Sequence, residues 1–294
     1  MNILISVNLQ YLDKAKTMLF SLYKHSKETI NVYLLNNSID DLEIDKFRVF
    51  LKKKCKASLV VINANRFFTN YPLGYSHFSI EMYNRLVCQF LLPDNLDRIL
   101  WLDADIIVLQ NLDSFYYQDF EDKYYIVCRD RNYKSETIKE IKKNIGISNQ
   151  HDYFNSGVLL INLKLLREKV DFDTLLSKCN LVKNYLVFPD QDLLNYCYQN
   201  LVKYLEYKQY NYQLLSDKTI EKKDEDNIFI LHYCGNEKPW LYQYINETSK
   251  YYYKYYFDRG ERVACIRVLR SKMIENFENY KCYLKILKYI LFSI

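Results

Sequence analysis

Residues Arg98-Ile99-Leu100-Trp101-Leu102-Asp103-Ala104-Asp105-Ile106-Ile107-Val108-Leu109 set the reading of this chain. The unbroken apolar run Ile99 to Leu102 has the pattern of a strand buried on both faces, as in a parallel or mixed sheet. It ends on two aspartates one residue apart, and buried carboxylates are costly unless paired or bound to a metal. Read alone, the Asp-Ala-Asp pair has two explanations. It is half of a divalent-cation site facing a phosphate-bearing substrate, or it is a strand-end turn with its acids in water.

The segments upstream give the fold class. Asn2 to Asn8 reads as a first strand. Tyr11 to His25 follows with Ala15, Met18, Leu19 and Leu22 at helical spacing,. Ile30 to Leu35 and Ser58 to Asn63 read as strands around a polar helix over Ile39 to Lys54. Such β-α-β-α-β alternation predicts an α/β fold with a Rossmann-like, mainly parallel sheet and right-handed crossovers, its ligands outside the carboxyl ends of the strands. Neither G-x-G-x-x-G nor G-x-x-x-x-G-K-[ST] occurs, which removes the main support for a dinucleotide or P-loop site. A further helix is expected over Ser79 to Leu92, with Arg85 opposite its apolar face and turned to water.

Composition narrows the options. The 294 residues suffice for a large core, and only 5 Gly and 4 Pro leave no linker,. Eight cysteines without a C-x-x-C pair read as reduced, buried thiols,. No apolar segment approaches a membrane span and no signal peptide is read, so a cytoplasmic protein is expected. No nucleic-acid partner is expected. The net charge of +5 sits in residues 259–294, which hold eight Lys/Arg and three Asp/Glu. That segment reads as a basic amphipathic helical tail after a domain of residues 1–258. Its stripe of Tyr280, Tyr283, Leu284, Leu287 and Leu291, flanked by Lys281, Lys285 and Lys288, suits either an anionic membrane surface or docking on the protein itself.

Three more stretches combine polar and turn-forming residues. In Tyr153 to Leu163, the Asn155-Ser156-Gly157 break precedes a strongly apolar strand, so it is a β-bulge or a close backbone approach to a ligand. Pro189-Asp190-Gln191-Asp192 opens a helix; capping accounts for one acid but not for both, nor for the glutamine between them. His232-Tyr233-Cys234-Gly235 closes a short strand over Ile228 to Leu231 and leads to Lys238-Pro239-Trp240.

Together, Leu102-Asp103-Ala104-Asp105, Tyr153 to Leu163, Pro189 to Asp192, and His232 to Gly235 with Lys238 to Trp240 resemble glycosyltransferase family 8, over roughly residues 1 to 245. The resemblance implies a GT-A fold and a retaining, metal-dependent hexosyltransferase that moves glucose or galactose from a UDP-hexose. The acceptor would be a hydroxyl of a glycan, glycolipid or glycoprotein. By motif, Asp103, Asp105 and His232 would hold Mn²⁺, or alternatively Mg²⁺, with two diphosphate oxygens. Lys238 and the backbone at Gly235 would hold phosphates. Gln191, Asp190 and Asp130 would line the reaction centre, and Arg85, Ala104, Asn155, Ser156, Gly157 and Asp192 would bind the donor. At the first strand the family often has an aspartate for the nucleoside; here Asn8 stands there, with Ser6, Gln10 and Tyr11 completing the pocket and Tyr11 stacking on the base. The rival readings are a metal-dependent nucleotidyltransferase and a nucleotide-sugar-binding protein without transfer activity. The expectation that separates them from chance similarity is geometric: His232, some 130 residues downstream, must reach the Asp103/Asp105 pair.

Overall fold

A computed structural model describes residues 1–65, 80–215 and 219–292. In chain order, β1 (Asn2–Ile5), α1 (Leu9–His25), β2 (Asn31–Asn36), α2 (Asp41–Phe50) and β3 (Ser58–Asn63) form the expected alternating half. Next come α3 (Asn84–Leu91), β4 (Arg98–Leu102), β5 (Ile106–Val108), α4 (Asp113–Tyr116), β6 (Tyr125–Arg129) and α5 (Glu136–Ile145). They are followed by β7 (Phe154–Asn162), α6 (Leu163–Lys169), α7 (Phe172–Val182), α8 (Pro189–Tyr198), β8 (Val202–Leu205) and α9 (Tyr207–Tyr210). The rest is β9 (Tyr212–Leu214), β10 (Ile230–Tyr233), α10 (Ser249–Asp258), α11 (Arg262–Glu275) and α12 (Tyr280–Phe292).

Seven strands pair in the order β3-β2-β1-β4-β7-β6-β8. The β1–β2, β2–β3, β1–β4 and β6–β8 ladders are parallel, whereas β7 runs antiparallel to β4 and β6. This is the mainly parallel, mixed sheet that the alternation implied. Period-two side-chain direction divides the interior in two. Ile99, Trp101, Leu159 and Ile161 face one core cluster, and Leu100, Leu102, Val158 and Leu160 face the other. A strand apolar on both faces, as β4 is, can sit only at such a dividing layer.

The Asn-Ser-Gly break is both a bulge and a close approach. Val127 pairs with Leu159, but Cys128 pairs with Asn155, so Ser156, Gly157 and Val158 are extra residues on β7 against β6. Their backbone is thereby free to serve the end of β4, where the Asp103 N–H donates to the Gly157 carbonyl (3.0 Å).

A second sheet, β5-β10-β9, lies beyond β4. It forms a third core cluster with the tyrosine-rich α10 and the two last helices, through Tyr251, Tyr252, Tyr253, Cys265, Leu269, Tyr283, Ile286 and Ile290. The tail is thus docked, and its expected single stripe is split. Tyr283 is buried and Leu287 packs against the cluster, whereas Tyr280, Leu284 and Leu291 are exposed. Arg259, at the expected start of the tail, is buried and donates to the Asp13 carbonyl (2.8 Å) and carboxylate (2.7 Å) on α1. No described helix is long and apolar enough to cross a membrane.

The expected helix over Ser79 to Leu92 begins with a 3₁₀ turn at Ile80–Tyr83 before α3, and Ser79 lies outside the described residues. Its polar face is not turned to water. Asn84, Arg85 and Gln89 are all buried, because α3 packs against α6 and α8.

Candidate active site

The sheet geometry brings the predicted ligands together. Asp103 follows the last residue of β4, and Asp105 precedes β5. Antiparallel pairing of β5 with β10 sets His232 opposite Ile106, and the Tyr233 N–H donates to the Asp105 carbonyl (3.0 Å). One atom from each of Asp103, Asp105 and His232 lies within 4.8 Å of the others. The His232 Nε2 is 3.2 Å from Asp105 Oδ1. Lys238 Nζ donates to the other Asp105 oxygen and to the Tyr233 carbonyl (2.6 Å). Burial works against charge on Asp105, but the Lys238 ammonium and the His232 ring outweigh it and hold the carboxyl well below its usual range,.

Gly157 sits behind this cluster. A Cβ there would lie 2.3 Å from His232 Cε1 and 2.9 Å from Asp103 Oδ2. The glycine is required because the backbone of β7 presses directly on two of the three would-be ligands. Asp103 Oδ1 is occupied by its own protein, accepting from Trp101 Nε1 (2.8 Å) and Arg85 Nη2 (3.0 Å).

Arg85 organises the next layer. Buried from solvent, it donates to the Ser156 carbonyl (2.6 Å), contacts Asp190 Oδ2 at 3.2 Å, and stacks on Trp101 with 4.4 Å to the ring centroid. Planar guanidinium geometry permits all of these contacts at once, which a lysine could not make. Asp190 also accepts from Ser156 Oγ (2.9 Å). Burial raises its carboxyl above the usual range despite the opposing Arg85 charge.

Gln191 lies at the centre of an amide network. Its Oε1 accepts from Asn155 Nδ2 (3.0 Å) and the Ser156 N–H (3.0 Å), and its Nε2 donates to Asp130 Oδ2 (3.1 Å). Asp192 differs from expectation. Its Oδ2 accepts from the Val187 and Phe188 N–H groups (2.7 and 2.9 Å), closing the start of α8, and its Oδ1 accepts from the Tyr153 hydroxyl. It is fully buried, with both oxygens engaged inside the protein. Its fixed role is to hold the helix start that presents Asp190 and Gln191.

A cleft of about 980 Å³ runs over these groups. Its walls include Ser6, Asn8, Tyr11, Arg85, Asp103, Ala104, Asp105, Asp130, Asn155, Ser156, Asp190, Gln191, His232, Gly235 and Lys238. Gln10 is exposed on α1 and does not line it, Gly157 lies behind it, and Asp192 is beneath it. Asn8 caps α1, its side-chain oxygen accepting from the Tyr11 N–H (3.2 Å). Part of the acceptor capacity expected for a nucleoside is therefore already used. Residues that the motifs did not signal are Val187 and Phe188 at the cleft wall, Trp101, and Asn211. Trp101 had a usable signal, since a buried indole N–H needs an acceptor close by.

With this geometry established, comparison with known proteins is decisive. The model of glycosyl transferase family 8 matches residues 2–244. The chain belongs to glycosyltransferase family 8. Among relatives, a putative glycosyltransferase of Haemophilus influenzae is 28% identical over 255 residues, covering 82% of this chain and 73% of that protein. A lipopolysaccharide 1,2-glucosyltransferase of Escherichia coli K12 is 27% identical over 267 residues, covering 86% and 76%. Another from Escherichia coli is 31% identical over 185 residues, 60% of this chain and 53% of that one. Among solved structures, galactosyltransferase LgtC in complex with donor and acceptor sugar analogs has a TM-score of 0.70 at 24% identity, covering 82% of this chain and 90% of that chain. The glycosyltransferase GlyE of Streptococcus pneumoniae has a TM-score of 0.64 at 21% identity, covering 86% and 59%. The family-8 fold is thus GT-A, and the chain is a glycosyltransferase.

Proposed function

We propose that this family-8 enzyme is a retaining hexosyltransferase that moves glucose or galactose from a UDP-sugar to a hydroxyl of a glycan, glycolipid or glycoprotein. A divalent cation held by Asp103, Asp105 and His232 would assist. The observation that carries the reading is the convergence of those three side chains in the cleft, with Lys238 beside them. The pocket suits such an ion. Two hard carboxylate oxygens and one imidazole match Mn²⁺, with Mg²⁺ as the alternative, and Gly157 keeps the space that a Cβ would fill. When bound, the cation offsets charge developing on the UDP leaving group.

The remaining roles belong to the chain's own residues. Lys238, a compact point charge, would turn from Asp105 toward the diphosphate. Ser6, Asn8 and Tyr11 line the cleft where the nucleoside would lie, with Tyr11 offered for stacking. Arg85 and Ser156 fix the Asp190 carboxylate, and Asp130 with Asn155 fixes the Gln191 amide. The carboxylates on the described floor, Asp190 and Asp130, are engaged by Arg85, Ser156 and Gln191, which favours front-face substitution. In that step the acceptor oxygen bonds the anomeric carbon on the face from which the phosphate oxygen leaves, and the acceptor proton passes to that phosphate. Lipopolysaccharide-modifying relatives and a basic tail favour a glycolipid acceptor, reached by a cytoplasmic protein lying peripherally on an anionic membrane.

The test is UDP release from UDP-glucose and UDP-galactose with Mn²⁺ present. Asp103→Asn, which removes a charge but little volume, is expected to lower turnover at least about 100-fold, within the span seen for lost transition-state electrostatics. No UDP from either donor, or UDP release that Asp103→Asn leaves unchanged, would refute the assignment.

A further inference from the structure

Asn211 is fully buried at the start of β9 and no sequence motif contains it. Its Oδ1 lies 2.9 Å from His232 Nδ1, and its Nδ2 donates to Asn155 Oδ1 (2.9 Å). We propose that Asn211 is a positioning residue, which holds His232 with a proton on Nδ1 and Nε2 turned toward Asp105, and that its own orientation is dictated by Asn155, whose amide is fixed by the Gly157 N–H and by Gln191. In its metal arm the inference rests on the cation reading above.

Donor–acceptor matching forces the arrangement. An amide side chain can be turned either way, so its orientation must be fixed by partners with only one role. The Ser156 N–H can only donate, and it meets Gln191 Oε1 at 3.0 Å. The Asp130 carboxylate accepts, and Gln191 Nε2 meets it at 3.1 Å. Gln191 is thereby fixed, and its oxygen takes the Asn155 amide N–H (3.0 Å). Asn155 Oδ1 must then face the other way, where the Gly157 N–H, again only a donor, meets it at 3.0 Å. The same oxygen faces Asn211, which must donate to it and so turns its own oxygen to the imidazole. Nδ1 therefore carries a proton whatever the charge of the ring, and Nε2, 3.2 Å from the Asp105 carboxylate, is the nitrogen that would exchange its proton for a cation. Outer partners of this kind fix tautomer and ring orientation, and losing one typically costs 10–100-fold in metal affinity. Here the partner is an amide in a chain that also passes through Gln191, so the sugar-facing floor and the cation site share one rigid hydrogen-bond path.

Two substitutions separate positioning from mere packing. Asn211→Leu removes both bonds. Asn211→Asp keeps an acceptor for Nδ1–H but loses the bond to Asn155. Mn²⁺ affinity of full-length, nucleotide-free protein, read from the electron paramagnetic resonance of free Mn²⁺, is expected to fall at least about tenfold in Asn211→Leu and to stay within about threefold in Asn211→Asp. In ¹⁵N-histidine-labelled, metal-free protein, the exchange-protected Nδ1–H of His232, assigned by its loss in His232→Gln, should persist in the native and Asp proteins and vanish in the Leu protein. Equal losses in both variants would mean packing alone and overturn the proposal, as would an unchanged signal and affinity in Asn211→Leu. If the native protein binds no Mn²⁺, the cation reading falls by itself, and the Nδ1–H signal decides the positioning role.

Discussion

A methyl group at residue 157 has nowhere to go. It would stand 2.3 Å from His232 and 2.9 Å from Asp103 Oδ2, contacts that real side chains essentially never make. Either β7 shifts at its bulge or the His232 ring leaves the position that Asn211 and Asp105 give it. Gly157→Ala is therefore expected to weaken Mn²⁺ binding and sugar transfer by about 10–100-fold, while costing only about 1–3 kcal/mol of stability as a local overpacking. Calorimetric titration with Mn²⁺ alongside thermal unfolding checks both halves. A variant with normal metal affinity would show that the cluster does not need this close approach. Arg85 is read from the same density of contacts. Its guanidinium serves Asp103, Asp190 and the Ser156 carbonyl together. Removing one partner of a buried ion pair typically costs about 3–5 kcal/mol, so Arg85→Met should be markedly less stable than native in urea unfolding, well beyond an exposed helix arginine.

At the level of elements, α11 reaches back to the loop that carries Lys238. Buried Lys272 donates to the Pro239 (3.0 Å) and Leu241 (2.6 Å) carbonyls, and Tyr253 donates to Pro239 from α10 (3.1 Å). Burial lowers the Lys272 ammonium to about 8. Its unfolded value is near 10.5, so between these limits the unfolded chain binds the extra proton and native stability rises with pH, by up to about 1.4 kcal/mol per pH unit. Below 8 both states are protonated and the contribution is absent. The stability of native protein relative to Lys272→Met should therefore grow from pH 7.5 to 9.5 in parallel denaturant titrations, and a constant difference would contradict the depressed ammonium. These helices also show what was and was not legible in the sequence. Asp103-Ala104-Asp105, Asn155-Ser156-Gly157 and Pro189 to Asp192 could be read because each packs its polar groups into a few consecutive residues at a strand or helix end. Periodicity alone did not place Arg85, since the amphipathic pattern of α3 marks it as polar but does not show that this polar face is buried against Asp103, Ser156 and Asp190,. Asn211 gave no signal, because its meaning arises only when residues 130, 155, 191 and 232 are folded around it. Asp192 closes the start of α8 from within, because an acid in the first turn of a helix finds free N–H groups whether or not a ligand is near,.

Across the whole molecule, the question is what the excess charge of the last 36 residues is for. The docked face of α12 explains Tyr283, Ile286 and Ile290, but Leu284, Leu291 and Phe292 remain exposed, as do Val263 and Ile274 on α11. Around them stand the exposed cations Arg262, Arg267, Arg270, Lys281 and Lys288. Exposed apolar side chains interspersed with Lys and Arg suit an anionic bilayer surface, where each cation contributes about 1 kcal/mol and salt weakens the attraction. Truncation at Asp258 would be a poor test, because it strips Cys265, Leu269, Tyr283, Ile286 and Ile290 from a core cluster shared with β10. Surface substitutions avoid that problem. Full-length protein is expected to co-sediment with phosphatidylglycerol-containing vesicles at low salt and much less with neutral vesicles or in 0.5 M salt. Leu284→Glu combined with Phe292→Glu should abolish pelleting while leaving the unfolding temperature and UDP release in solution unchanged. Equal, negligible pelleting of native and substituted protein would leave the tail as a purely intramolecular buttress of α10 and the Lys238 loop.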